Sequence, residues 1–180
     1  MSEHHDPDAP DEIMWEGRFI TARRKGRWEY VSRSRGIRAA VILAVEDGHV
    51  LLVEQYRVPL GKRCIELPAG LIGDDAGGED EDAATAAARE LEEETGYRAR
   101  DIELLGEFWS SPGMVSESFT LVRAHGLEQV GPGGGTAGED ITVHRIPLSG
   151  IEAAIAGWRA EGLAIDVRLL TLLGPGLLGA

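Results

Sequence analysis

Residues 83–97 read AATAAARELEEETGY, and no other stretch limits the chain's folding options so strongly. Ala, Leu, Glu and Arg are strong helix formers and Gly96 is a natural stop, so the run predicts one helix. Ala84, Ala87, Ala88 and Leu91 follow the i, i+3, i+4, i+7 spacing of a buried face. Glu90, Glu93 and Glu94 crowd the face beside it, where like charges at i, i+3 and i+4 repel and weaken a helix. Such a helix either lies in water as a solvated acidic face or holds cations between its carboxylates. Hard oxygen ligands at this spacing suit Mg²⁺, which keeps several waters and shares phosphate oxygens with its protein ligands.

The wider pattern favours the cation. Glu81, seven further residues, then Arg89-Glu90-Leu91-Glu92-Glu93-Glu94-Thr95-Gly96-Tyr97 resembles the signature of Nudix hydrolases, a glycine, five residues, a glutamate, seven residues, then R-E-U-x-E-E-x-G-U with U bulky and apolar. The match is complete from Glu81 onward. Upstream, Asp75 stands where the glycine is expected and its counterpart is Gly70, with GDDAG-like material inserted between, an insertion a surface loop tolerates at little cost.

Length and composition bound the rest. A chain of 180 residues suits one domain with a sizeable core. A net charge of −13 and a pI near 4.8 argue against a general nucleic-acid binder, though not against a nucleotide held through divalent metal. One cysteine, Cys64, excludes an internal disulfide, and with no signal peptide it fits a cytoplasmic protein. No apolar run reaches membrane-spanning length.

In chain order, 1–10 reads as a disordered tail whose His4 and His5 are more simply solvent-exposed than ligands. Strand-like runs at 15–22 and 28–34 flank RRKGR, a hairpin that must pack on the main domain or on a second copy of the chain. Runs 37–45 and 49–55 form a second hairpin around Asp47-Gly48. Residues 63–67 read as another strand, and 101–110 and 117–123 as a pair joined by Ser111-Pro112-Gly113. GPGGGTAG at 131–138 is flexible by composition and lacks the ending of a phosphate-binding P-loop. A strand at 141–146 and helices at 149–160, capped by Ser149, and 166–173 complete the chain. The order predicts an α/β/α sandwich around a mixed sheet, the fold the Nudix resemblance also implies. The expected organisation is tail 1–10, an N-terminal β extension over 11–36 and a Nudix domain over 37–180.

EQYRVPLGKRCIELPAGLIG, GRWEYVSRSR and SSPGMVSES are similar to the ADP-ribose and ADP-sugar pyrophosphatase branch. Position by position, the resemblance makes the Ala69 carbonyl, Glu90, Glu94 and Glu93 ligands for Mg²⁺, with Mn²⁺ a possible substitute. Arg89 would orient the glutamates by ion pairing, as its i, i+4 spacing to Glu93 allows. Arg57 would contact phosphate and Glu66 would hydrogen-bond near the substrate. Trp28 and Phe19 would stack on the adenine, with Glu29 and Arg33 as neighbouring contacts; simple core packing is the competing account of the two aromatics. Ser111 stands where a relative has an aspartate near the distal ribose. Glu139 would bind metal or activate water, Asp140 being the competing choice, on a loop that closes over substrate.

The implied reaction is Mg²⁺-dependent hydrolysis of ADP-ribose to AMP and ribose 5-phosphate by a homodimer whose N-terminal segments cross between subunits. The alternatives are another nucleoside diphosphate sugar, an oxidised nucleoside diphosphate, or a non-catalytic ADP-ribose-binding module. A Ca²⁺ site on the 74–82 run is disfavoured because the run lacks the EF-hand ligand pattern.

Overall fold

A computed structural model describes residues 8–34, 37–73 and 81–174. The predicted tail up to residue 7 and most of the 74–82 acidic run lie outside them. The N-terminal strands β1 (Asp11–Glu16), β2 (Ile20–Lys25) and β3 (Trp28–Arg33) form an antiparallel sheet in that order. The main sheet runs β11 (Ala164–Ile165), β6 (Lys62–Glu66), β5 (His49–Arg57), β4 (Arg38–Glu46), β9 (Ser118–Gln129), β8 (Tyr97–Trp109). Two further strands join it: β7 (Ala69–Ile72) on β4 and β10 (Thr142–Pro147) on β5. Parallel β4–β9 and β6–β11 pairs among antiparallel neighbours make it a mixed sheet.

The central strand β4 explains the layering. Side chains alternate across a strand, so an almost wholly apolar strand needs cover on both faces. Ala40, Ile42 and Ala44 pack with Ala86, Ala87 and Leu91 of helix α1 (Ala83–Thr95). Val41, on the opposite face, packs with Ile151 and Ile155 of helix α2 (Ile151–Ala160) and with Leu169. The result is the α/β/α sandwich the sequence predicts.

Three local expectations change. The run 15–22 is broken at 17–19, where the Gly17 N–H donates to the Ile20 carbonyl at 2.9 Å, so the N-terminal unit has three strands rather than two. It packs on its own main domain: Val31 N–H donates to Met114 O at 3.0 Å and Ser116 N–H to Val31 O at 2.9 Å. Ser149 caps nothing, because a 3-10 turn, Leu148–Gly150, comes first and α2 starts from Gly150 without a side-chain cap. The helix expected at 166–173 shrinks to a 3-10 turn, Val167–Leu169, plus the four-residue α3 (Leu170–Leu173). Asp166 accepts the Arg168 N–H there, and such side-chain bonds favour turns over helix interiors.

Candidate active site

Helix α1 is set at both ends by its sequence. The Asp82 carboxylate accepts the N–H groups of Ala84 and Thr85, satisfying two of the donors a helix leaves open at its start. Gly96 ends it at φ 75, a left-handed conformation that favours glycine. Between these ends the buried face runs through Ala86, Ala87 and Leu91 and reaches Glu94. Glu94 is only 5% exposed, so it does not belong to a solvated acidic face.

Glu94 is a buried carboxylate held by one backbone donor, the Ala69 N–H at 3.0 Å. Among the described residues it forms no ion pair with a basic side chain. Burial pushes its pKa up to about 8; the Ala69 N–H works the other way, and the fields of Glu90 and Glu139 add to the rise. Burial also raises the pKa of Glu90, against the pull of Arg89. The three carboxylates therefore repel one another across a shared space, and a cation there would relieve all of them.

Gly70 makes that space possible. A Cβ on Gly70 would lie 1.9 Å from the Glu90 carboxyl carbon and 2.1 Å from its Oε1. The strand passes under the carboxylate because Gly70 has no side chain. Arg89 holds the outer side: it donates to Glu90 at 2.8 Å, to Glu93 at 3.4 Å, to Glu81 at 3.3 and 3.4 Å and to the Leu71 carbonyl at 3.3 Å. Sequence reasoning anticipated the Glu93 pair and missed Glu81 as the other anchor.

A cleft of about 600 Å³ opens beside these groups, and Ala69, Gly70, Glu90, Glu94 and Glu139 line it together with Arg33, Arg57 and Arg168. Arg57 grips Glu66 with two bonds, 2.6 and 3.0 Å, and Glu66 is nearly fully buried. Arg168 reaches the same carboxylate at 3.2 Å, pairs with Asp166 and lies over the Phe119 ring at 5.7 Å. Arg33 bonds Glu117 at 2.6 Å. Sequence reasoning named neither Arg168 nor Glu117. The SSPGMVSES motif contains Glu117, whereas Arg168 had no local signal.

Other expected residues fall elsewhere. Arg89 and Glu93 stand behind the lining carboxylates, and Ser110 lines the cleft where Ser111 does not; the Ser111 carbonyl instead accepts the Met114 and Val115 N–H groups. Trp28 and Phe19 are exposed, at 54% and 55%, which removes core packing as their explanation. With Glu29 they lie outside the single chain's cleft. Of the two loop acids, Glu139 lines the cleft, while Asp140, at φ 49, is held outward by Arg63 at 3.0 Å.

The all-oxygen donor set, one member buried without a cation partner, fits Mg²⁺ or Mn²⁺. Among the described residues no group of three or more His, Cys, Asp and Glu side chains is placed to hold a metal ion by itself, so waters and ligand oxygens would have to complete any shell built on Glu90 and Glu94. Carboxylates and arginines thus line one cleft, and arginines of this kind suit anionic oxygens.

A NUDIX domain is matched over residues 34–154, and the chain belongs to the Nudix hydrolase family. It is 34% identical over 158 residues to an uncharacterized Nudix hydrolase of Schizosaccharomyces pombe, covering 80% of this chain and 74% of that protein. An ADP-ribose pyrophosphatase of Saccharomyces cerevisiae is 38% identical over 122 residues, 66% of this chain and 48% of its own length. An ADP-ribose pyrophosphatase of Mycobacterium tuberculosis is 39% identical over 125 residues, 68% of this chain and 58% of its own. The chain thus spans about half the length of these two pyrophosphatases. A crystal structure of an ADP compounds hydrolase superposes with a TM-score of 0.67 over 94% of this chain and 92% of that one; at 24% identity this likeness shows the fold.

Proposed function

We propose that the chain hydrolyses ADP-ribose to AMP and ribose 5-phosphate with a divalent cation, Mg²⁺ or Mn²⁺, bound at Glu90, Glu94 and Glu139. The observation that carries this is Glu94, a buried acid with no ion pair among the described residues, in a cleft that Arg33, Arg57 and Arg168 also line. Relatives named ADP-ribose pyrophosphatases support the choice of substrate.

Water attack forms one P–O bond and breaks the bridging P–O bond, leaving two phosphomonoesters and a proton. A bound divalent cation would offset the charge of the two phosphates and acidify the attacking water. Glu139, which lines the cleft from its loop, would take the proton, since Glu93 lies outside the cleft and is paired with Arg89. Arg57 and Arg33 would orient the phosphates through their outward-facing N–H groups while Glu66 and Glu117 hold their guanidinium planes. Arg89 would keep Glu90 and Glu93 in place.

The same proposal includes a homodimer in the cytoplasm. Ile13, Met14, Trp15, Phe19, Trp28, Trp109 and Met114 are all more than half exposed, an apolar surface of the kind that marks association sites. Paired subunits would bring Trp28 and Phe19, which are absent from the single-chain cleft, to the adenine. No helix among the described residues is long and apolar enough to cross a membrane.

The test is a panel of ADP-ribose, ADP-glucose, GDP-mannose and 8-oxo-dGDP with Mg²⁺ and with chelator. Turnover should be fastest on ADP-ribose and vanish with chelator. Equal rates on all four, or rates indifferent to chelator, refute the assignment.

A further inference from the structure

The glycine run at 131–138 does not hang free. The Gly134 N–H donates to the Glu94 carbonyl at 2.9 Å and the Gly135 N–H to the Glu93 carbonyl at 3.0 Å, so the loop completes the open end of the acidic helix. Contact this close needs bare backbone. A Cβ on Gly133, which has φ 66, would lie 2.4 Å from the Thr95 carbonyl carbon and 2.7 Å from the Glu94 oxygen. On Gly135 it would lie 2.6 Å from Glu139 Oε2. Beyond the glycines, the Thr136 N–H and hydroxyl hold that same oxygen at 2.6 and 3.0 Å. The Ile141 N–H returns to the Gly134 carbonyl at 3.2 Å and closes the loop at its far end.

We infer that this run is a rigid bracket that registers Glu139 against Glu90 and Glu94, with Gly133 and Thr136 as positioning residues for the proposed hydrolysis. The composition predicts a flexible lid; the hydrogen bonds describe a short stay between the helix end and one carboxylate. The bracket spans only a few residues from the Glu94 carbonyl to the Glu139 side chain, so both acids belong to one mechanical unit. The inference rests on the proposed role of Glu139, and its test separates the two.

Two measurements decide it. In metal-free protein the amides of Gly134 and Gly135 should exchange with solvent as slowly as those in the last turn of α1, and Gly133→Ala should speed both. Exchange at the rate of an unstructured chain overturns the bracket. In turnover of ADP-ribose, Thr136→Val should lower kcat about tenfold at little change in KM, the worth of one hydrogen bond to a charged group. Thr136→Ser, which keeps the hydroxyl, should restore it. In a Glu139→Ala background Thr136→Val should cost nothing further, because the group it positions is gone. Full additivity in that cycle also overturns the bracket. If the unmutated chain leaves ADP-ribose intact, the substrate assignment fails instead, and the exchange rates still decide the bracket.

Discussion

Replacing Glu94 by Gln separates the cost of this site from its use. The folded chain holds the Glu94 proton up to about pH 8, while an unfolded glutamate loses it near 4.5. Between those values the unfolded state binds fewer protons, so stability falls as pH rises. One proton gives a slope of about 1.4 kcal/mol per pH unit, hence at most about 3 kcal/mol lost by pH 7 and about 5 by pH 8 and above. Glutamine has the same shape, and its carbonyl still accepts the Ala69 N–H, so the variant escapes that loss. Urea denaturation in chelator at pH 5.5, 7 and 8.5 should show the parent weakening toward alkaline pH relative to Glu94→Gln. The variant should be the more stable protein at pH 8.5 and have almost no turnover. Adding Mg²⁺ should stabilise the parent more at pH 8.5 than at pH 6, since the ligating form is the carboxylate. Parallel stability curves for parent and variant across that range would refute the claim that burial without an ion pair among the described residues raises the Glu94 pKa.

Gly70→Ala drives a methyl into the Glu90 carboxylate, so Mg²⁺ affinity measured by calorimetry should fall at least tenfold. Arg57→Lys breaks the two-bond grip on Glu66 and should raise KM for ADP-ribose about tenfold with the melting temperature shifted by only a few degrees. Leu91→Ala empties a fully buried position under α1 and should cost about 2–5 kcal/mol in denaturant unfolding. Trp28→Ala exposes nothing new in the single chain, so stability at dilution should hold while KM rises; an unchanged KM removes Trp28 from the substrate site.

The acidic helix, its end at Gly96 and the two-faced strand β4 were legible because each follows from local spacing. A helix needs only near neighbours to set its period, and an apolar strand states by itself that both faces are covered. Which acid lies inward was harder to see. The apolar spacing gave the stripe through Ala87 and Leu91, but only packing against β7 shows that the same face continues to Glu94 and that Gly70 clears room for Glu90.

The amino-acid order therefore determined the helix, its row of glutamates and the strand that anchors it, since those depend on residues a few positions apart. Only the tertiary structure decided what faces them. Arg168 meets Glu66 across 102 positions of chain, and Gly133 meets the Thr95 backbone because Gly133 has no Cβ. Composition predicted a flexible segment at 131–138, yet bare backbone also permits the closest docking, and glycine content cannot tell those outcomes apart without the surface it docks on.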